Sequence, residues 1–233
     1  VPALTVNRLC GSGIQSIISA AQLIELGEAN VVLAGGMESM SQAPHVIRGA
    51  RWGFKLGQGK MEDSLMVALL DTYCGCSMAA TAETLARKYE ITREVQDEYA
   101  VRSQKLAQAA WEAGRFSDEV EPVENLRQDD HMRPGTTVES LAKLKPAFAK
   151  DGFVTAGNAS RIVDGGAAVV VTTAERAKSE PLGRIVSWGI AGVPPEIMGI
   201  GPVPATKIAL QKAGLKLADI DLVEVNEAFA AQY

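Results

Sequence analysis

Several things are scarce in this 233-residue chain, and each scarcity removes a class of function. No apolar run approaches the roughly eighteen residues a helix needs to cross a bilayer, and the first residues offer neither a basic segment nor a signal-type apolar core. The chain therefore reads as soluble, with no membrane partner, in a bacterial cytoplasm or an organelle matrix. Lysine and arginine total 23 against 28 acidic residues, a formal net charge of −5, and no dense basic run occurs. That balance argues against nucleic acid as a partner, so an anionic ligand has to be held by a few local basic groups. The three cysteines, Cys10, Cys74 and Cys76, are odd in number and lack disulfide-framework spacing, which suits a reducing compartment. Two histidines and no Cys-x-x-Cys pair leave no ligand set for a structural zinc, and no metal is expected.

What is present suffices for a large core. At 47% hydrophobic and 22% charged, the length exceeds that of a typical single domain, so one large domain or two are both open. Val1–Val6 reads as a strand from the first residue, and Asn226–Tyr233 stops inside what looks like the first turns of a helix. Natural termini more often trail off in polar residues, so both ends read as cut.

Between them, Ile14, Ile17, Ile18, Ala21 and Ile24 recur at helical spacing and Gly27 closes the helix. Val31–Ala34 is a short buried strand ending in Gly35-Gly36, and strand, helix, strand suggests a right-handed crossover unit. Residues 41–75 lack a sustained period and read as an irregular excursion. Two helices follow, one with Ala82, Leu85, Ala86 and Tyr89 on a face, the other starting at the N-cap Thr92, carrying Val95, Tyr99, Leu106 and Ala110, and ending before Gly114. Residues 115–150 are charged and loop-like. Ala167–Val171 reads as a central strand, Arg184–Trp188 as another, and 204–213 as a helix stopped by Gly214. Asp221–Val225 reads as a strand that delivers Asn226 at its carboxyl end, where open α/β sheets place ligand-contacting groups.

Cys10 follows a predicted strand and precedes a predicted helix, with Gly11 and Gly13 allowing a tight turn and close approach of a substrate, as in a nucleophile elbow. A buried structural cysteine is the competing reading, and the local pattern alone leaves it ahead. A helix N-terminus supplies about 0.3–1 kcal/mol, less than one unit for an ordinary thiol, so a nucleophilic cysteine needs a base. The candidates are His45 and His131, both in loop-like context, where a surface or hydrogen-bonding role competes.

Five separated motifs then fall in one order: Val6-Asn-Arg-Leu-Cys10-Gly-Ser-Gly13, Gly35-Gly-Met-Glu-Ser-Met-Ser41, Thr155-Ala-Gly-Asn-Ala-Ser160, Met198-Gly-Ile-Gly-Pro-Val-Pro-Ala-Thr206 and Asn226-Glu-Ala-Phe-Ala230. That order resembles the thiolases, the acetyl-CoA acetyltransferase and 3-ketoacyl-CoA thiolase family, across essentially the whole chain. The resemblance implies a layered α/β/α/β/α fold with an inserted loop lobe, incomplete at both ends. In those terms 1–42 is the nucleophile unit of the N-terminal half, 43–163 the inserted lobe for CoA binding and tetramer contacts, 164–181 the return, and 182–233 the start of the C-terminal half.

It further implies an acyltransferase of lipid metabolism that forms or cleaves 3-oxoacyl-CoA, of the acetoacetyl-CoA type, through an acyl-cysteine at Cys10. Coenzyme A or acetyl-CoA is then a substrate, no covalent cofactor is needed, and the protein is a dimer or tetramer of identical chains. By the same resemblance Asn226 positions a water in an oxyanion hole and the Cys10 N–H serves a second. Ser160 and Ala156 belong to the CoA-binding turn, Met78, Phe148, Met198 and Phe229 line the thioester pocket, and Arg133 lies near the adenine and phosphate end.

Three departures stand out. Arg161 occupies a position where thiolases usually have Gly, and Ser77 precedes Met78 where acetoacetyl-specific members often have His. A Gly-His-Pro histidine and a Cys-x-Gly cysteine, which the family carries after Asn-Glu-Ala-Phe, do not occur before Tyr233, so the chain by itself is expected to be nearly inactive. The alternatives are a ketoacyl synthase of the same superfamily and a non-catalytic thiolase-like protein that binds CoA esters.

Overall fold

The structure is a computed structural model that describes residues 1–233. In chain order the elements are α1 (Ser12–Glu25), β1 (Val31–Ser39), β2 (His45–Ile47), β3 (Met61–Asp63), α2 (Ser64–Ala68), α3 (Met78–Lys88), α4 (Arg93–Glu112), α5 (Val138–Ala142), β4 (Asp164–Thr172) and α6 (Pro202–Ala213). Short 3-10 turns intervene, notably at Leu9–Gly11 and Pro195–Ile200. The chain forms two compact units, one of residues 1–69, 162–191 and 203–220, the other of 70–161, 192–202 and 221–233.

The first unit is built on an antiparallel ladder in which β1 pairs with β4 from Val31↔Thr172 to Ser39↔Asp164. Its small residues are required by the pairing. A Cβ on Gly35 would run into the carbonyl of Ala167 across the ladder, and one on Gly36 would sit 3.8 Å from Cα of Gly13. Glycine at 36 thus lets the start of α1 lie against the strand, and α1 buries Ile18, Ala20 and Ala21. The helix ends where expected, with Gly27 at φ +72 and the Glu28 N–H donating to Leu23 O at 2.9 Å. At the far end of β1, Asp164 accepts hydrogen bonds from the Ser41 N–H (2.9 Å) and the Ser41 hydroxyl. These bonds hold the Asp164 carboxyl below the usual carboxylate range, the Ser41 hydroxyl contributing most.

The excursion after Ser41 is more regular than expected: β2 and β3 make a three-pair antiparallel hairpin, and Asp63 caps α2 by accepting from the Leu65 N–H. Two strand expectations change in extent. The 31–34 strand runs on to Ser39, and the 167–171 strand begins at Asp164 and lies in a two-stranded ladder, exposed over most of its length instead of central. Val1–Val6, Arg184–Trp188 and Asp221–Val225 form no ladder, and both ladders are antiparallel, so the expected crossover is not made within this chain. Strand-like composition is a preference for a half-buried pleat, and it becomes a strand only where a second backbone supplies the ladder. Residues 187–189 instead run against α6: the Ser187 hydroxyl donates to Ala209 O at 2.7 Å, and a Cβ on Gly189 would strike the Ala205 carbonyl.

In the second unit the core gathers Ala82 and Ala86 of α3, Val154 and Ala231, with Ile91, Phe153, Ala159 and Phe229 packed around them. A smaller cluster joins Ala100 and Val101 of α4 to Leu141 of α5. Both long helices are capped, and α4 starts and stops where Thr92 and Gly114 foretell. Ser77 and Thr92 accept from Ala80 N–H and Val95 N–H, and Gly114 at φ +67 ends α4. The face that α4 buries differs from the expected one. Val95 and Leu106 are exposed, whereas Gln96, Asp97, Ala100 and Val101 are buried.

Candidate active site

Cys10 is a free, exposed thiol in the Leu9–Gly11 turn that leads directly into α1. The sharpness of this turn does not come from its glycines. Leu9 carries the left-handed conformation, φ 49, which a leucine adopts only where its surroundings impose it. Those surroundings are the motif itself. Asn7 Oδ1 accepts from the Leu9 N–H at 2.9 Å, the Ser12 hydroxyl accepts from the Arg8 N–H at 2.8 Å and donates to Leu9 O at 2.7 Å, and Arg8 Nη1 donates to Gln15 at 2.6 Å. The Gly11 and Ser12 amides donate to Arg8 O and Leu9 O. The neighbouring donors are thus occupied, while the Cys10 N–H is engaged by none of these acceptors. Gly13 has open space around its Cβ position.

The other two cysteines sit in a different setting. Asp71 Oδ1 accepts from the Tyr73 and Cys74 amides at 2.8 and 3.1 Å, Gly75 takes φ +70, and the Cys76 thiol donates to Cys74 O at 3.7 Å. Burial pushes the Cys74 thiol up, so it stays protonated, and the loop leads to Ser77, the N-cap of α3.

Except for His45, which belongs to the first unit, the remaining candidates lie in the second unit, on three strips of chain. The turn 155–160 carries Ala156 and Ser160, both exposed, with the Ser160 N–H donating to Ala228 O at 2.9 Å. That bond, the Ala159↔Phe229 bridge and the Ala230 N–H donating to Asn158 O at 2.9 Å bring the 155–160 turn together with the Asn226–Ala230 segment. Asn226 is exposed and Phe229 half-buried. Met78 opens α3, and the Pro195–Ile200 turn carrying Met198 packs along that helix, where a Cβ on Gly199 would lie 2.8 Å from Leu85. Phe148 is exposed beside Ala147, whose N–H donates to Val154 O at 2.9 Å. Arg133 turns into its own loop, Nη1 donating to the carbonyls of Asp130 and Met132 at 3.0 Å each, and it is not drawn to the other candidates. His45 is exposed on β2, and His131 Nδ1 lies 2.8 Å from Asp130. No group of three or more His, Cys, Asp or Glu side chains is placed to hold a metal, and no helix is long and apolar enough to cross a membrane.

The sequence matches the model of the thiolase N-terminal domain over residues 1–175 and that of the thiolase C-terminal domain over residues 179–233. The chain belongs to the thiolase family. It is 54% identical to the human mitochondrial 3-ketoacyl-CoA thiolase, the match covering 100% of this chain and 62% of that protein. Against the beta-ketothiolase BktB of Cupriavidus necator the identity is 50%, covering 99% and 62%. The crystal structure of the human mitochondrial 3-ketoacyl-CoA thiolase in complex with CoA superposes at a TM-score of 0.96, with 56% identity, over 100% of this chain and 61% of that one. The Bacillus anthracis acetyl-CoA acetyltransferase superposes at 0.92, with 48% identity, over 98% and 61%. This chain therefore has the thiolase fold and spans about 62% of the length of the curated relatives it matches.

Sequence reasoning missed how this thiolase fixes its 155–160 turn. Glu83, buried on α3 at 3% exposure, accepts from the Phe153 N–H (2.9 Å) and the Val154 N–H (2.9 Å). Asp97, buried on α4, accepts from Arg93 Nε at 2.8 Å and from Asn158 Nδ2 at 3.0 Å, and Asn158 Oδ1 in turn accepts from the Thr155 N–H at 2.7 Å. Also on α4, Tyr99 and Ser103 donate their hydroxyls to the carboxylate of Glu227, next to Asn226. Burial first, and then the bond to Glu227, push the Tyr99 phenol well above its usual range. The Arg93 and Asp97 spacing of four was the one signal available in sequence.

Proposed function

We propose that the protein carries out the thiolase reaction, forming or cleaving 3-oxoacyl-CoA of the acetoacetyl-CoA type through an acyl-cysteine at Cys10. The observation that carries this reading is the exposed Cys10 thiol, held on a left-handed Leu9 turn at the head of α1 by the side chains of its own motif. The names of the relatives, 3-ketoacyl-CoA thiolase and acetyl-CoA acetyltransferase, support it, and a CoA complex is known for one of them.

In the thiolysis direction the Cys10 thiolate attacks the C3 carbonyl of the 3-oxoacyl-CoA. The C2–C3 bond breaks, its electron pair leaves on the acetyl-CoA enolate, that carbon takes a proton, and the acyl group stays on Sγ. The thiolate of CoA then attacks the acyl-cysteine carbonyl, the bond to Sγ breaks, and acyl-CoA leaves with the Cys10 thiolate restored. Condensation is the same path reversed. The Cys10 N–H is suited to receive the charge that develops on the thioester oxygen, and Asn226 is assigned the water of the other oxyanion site. Ser160 and Ala156 are assigned to the pantetheine region, Met78, Phe148, Met198 and Phe229 to the thioester pocket, and Arg133 to the phosphate end of CoA. The 43–163 stretch is the CoA-binding and subunit-contact lobe in this reading, and the assembly is a dimer or tetramer, in a bacterial cytoplasm or an organelle matrix.

A pulse of acetyl-CoA given to the full-length protein, followed by peptide mass mapping, tests the assignment. Acetyl on the peptide containing Cys10 is the expected result. Label on Cys74 or Cys76 with Cys10 unmodified overturns it.

A further inference from the structure

We propose that Tyr99 and Ser103 of α4 are positioning residues for Asn226, acting through the carboxylate of Glu227. The inference rests on the acyl-transfer reading above for its catalytic consequence, and on geometry alone for the positioning itself. Residues four apart on a helix project side by side, and here both hydroxyls point at one carboxylate, Tyr99 at Oε1 (2.5 Å) and Ser103 at Oε2. Each oxygen of Glu227 therefore has its own donor, and the bonds are of the charge-assisted kind. The Tyr99 ring is itself fixed: it stacks on Tyr233 at 4.4 Å between centroids, and the Arg102 guanidinium lies 5.8 Å from its centre.

The reach of the clamp follows from where the backbone bonds lie. Ala228 and Ala230 are tied by backbone bonds to the 158–160 strip, two and four residues past Asn226, and Glu227 is the residue that joins that strip to Asn226. With its carboxylate held on α4, the peptide that precedes it is oriented, and with it the Asn226 side chain. Glutamine at 227 would keep one acceptor oxygen and replace the other by an NH₂ group, so half of the clamp depends on the carboxylate itself.

The test compares the full-length wild-type protein with Tyr99→Phe/Ser103→Ala, with Ser103→Ala and with Ser103→Thr, using two readouts. Hydrogen exchange of the 226–230 peptide reports positioning irrespective of turnover: about tenfold faster exchange is expected in the double variant, with α3 peptides unchanged as a control for folding. In thiolysis of acetoacetyl-CoA, kcat is expected to fall by up to about 10²-fold with KM little changed, the signature of a misplaced group instead of a lost CoA contact. Threonine at 103 keeps the hydroxyl and restores most of what alanine loses. Wild-type exchange at 226–230 in the double variant overturns the positioning, and faster exchange with unaltered kcat overturns its catalytic role. If the wild-type protein shows no thiolysis, the acyl-transfer reading fails by itself, and the exchange measurement still decides whether α4 holds the Asn226 segment.

Discussion

The turn that carries Cys10 owes its shape to two polar side chains of its own motif: Asn7 and Ser12 take up the donors and acceptors around Leu9 and so hold a leucine in a conformation usually left to glycine. Because the thiol is exposed and packs little, replacing it is expected to leave the fold intact while removing the chemistry. Cys10→Ala should melt within a degree or two of wild type by circular dichroism, yet lose turnover by about 10⁴-fold or more and take up no acyl label. Glu83 is the opposite case. Its carboxylate is buried and satisfies the Phe153 and Val154 amides that lead into the 155–160 turn. Glu83→Ala orphans both amides, at about 1–3 kcal/mol each. A loss of about 3 kcal/mol corresponds to roughly 6–12 °C in melting temperature for a protein of this size, and calorimetry checks it.

Among the elements, α1, α3, α4 and α6 were readable from the sequence because their signals are local: apolar residues at helical spacing, Thr92 as a cap, and Gly27, Gly114 and Gly214 at positive φ as stops. The segments 1–6, 184–188 and 221–225 form no ladder among these residues, because pairing is decided by a distant backbone that composition does not report. The same limit hid the buried face of α4. Asp97 and Gln96 are inside because Asn158 and the Ile91 carbonyl meet them there, sixty-one and five residues away along the chain. At the site, the cysteine turn and the Asn226 segment were legible as motifs, whereas the side chains that hold them, Glu83, Asp97, Tyr99 and Ser103, belong to no motif. The β1–β4 ladder tests the same point. Gly35→Ala places a methyl against the Ala167 carbonyl, should cost about 1–3 kcal/mol, and should speed exchange of the 31–39 amides. Where β4 begins, Asp164 has a lowered pKa, so its hold on Ser41 is fully present above the ordinary Asp value near 3.8 and is lost as pH falls through the lowered one. The Ser41 amide resonance should therefore titrate with a midpoint below 3.8, and Asp164→Asn should abolish that titration.

For the whole molecule, the question is how much apolar surface the 233 residues can cover by themselves. They expose 17405 Å², whereas a folded monomer of 24.7 kDa is expected to expose about 10,000 Å². The difference, about 7,000 Å², goes with a chain that spans about 62% of the length of its relatives, and it is several times the roughly 800 Å² that one partner contributes to a standard interface. Part of it is a paired apolar patch in the first unit: Leu33 (74% exposed) and Val170 (65%) stand directly opposite each other on the β1–β4 ladder. A polypeptide of these residues is therefore expected to associate in solution and to bind a hydrophobic dye in its folded state. Association that accompanies folding makes stability depend on protein concentration, so the melting temperature should climb as the chain is concentrated. Sedimentation velocity and calorimetry over a hundredfold range of concentration check both effects. Leu33→Lys with Val170→Glu, which places an opposite-charge pair on the exposed ladder face, should weaken the association while preserving the β1–β4 pairing. A monomer at all concentrations, with one melting temperature, would show that these faces stay in water.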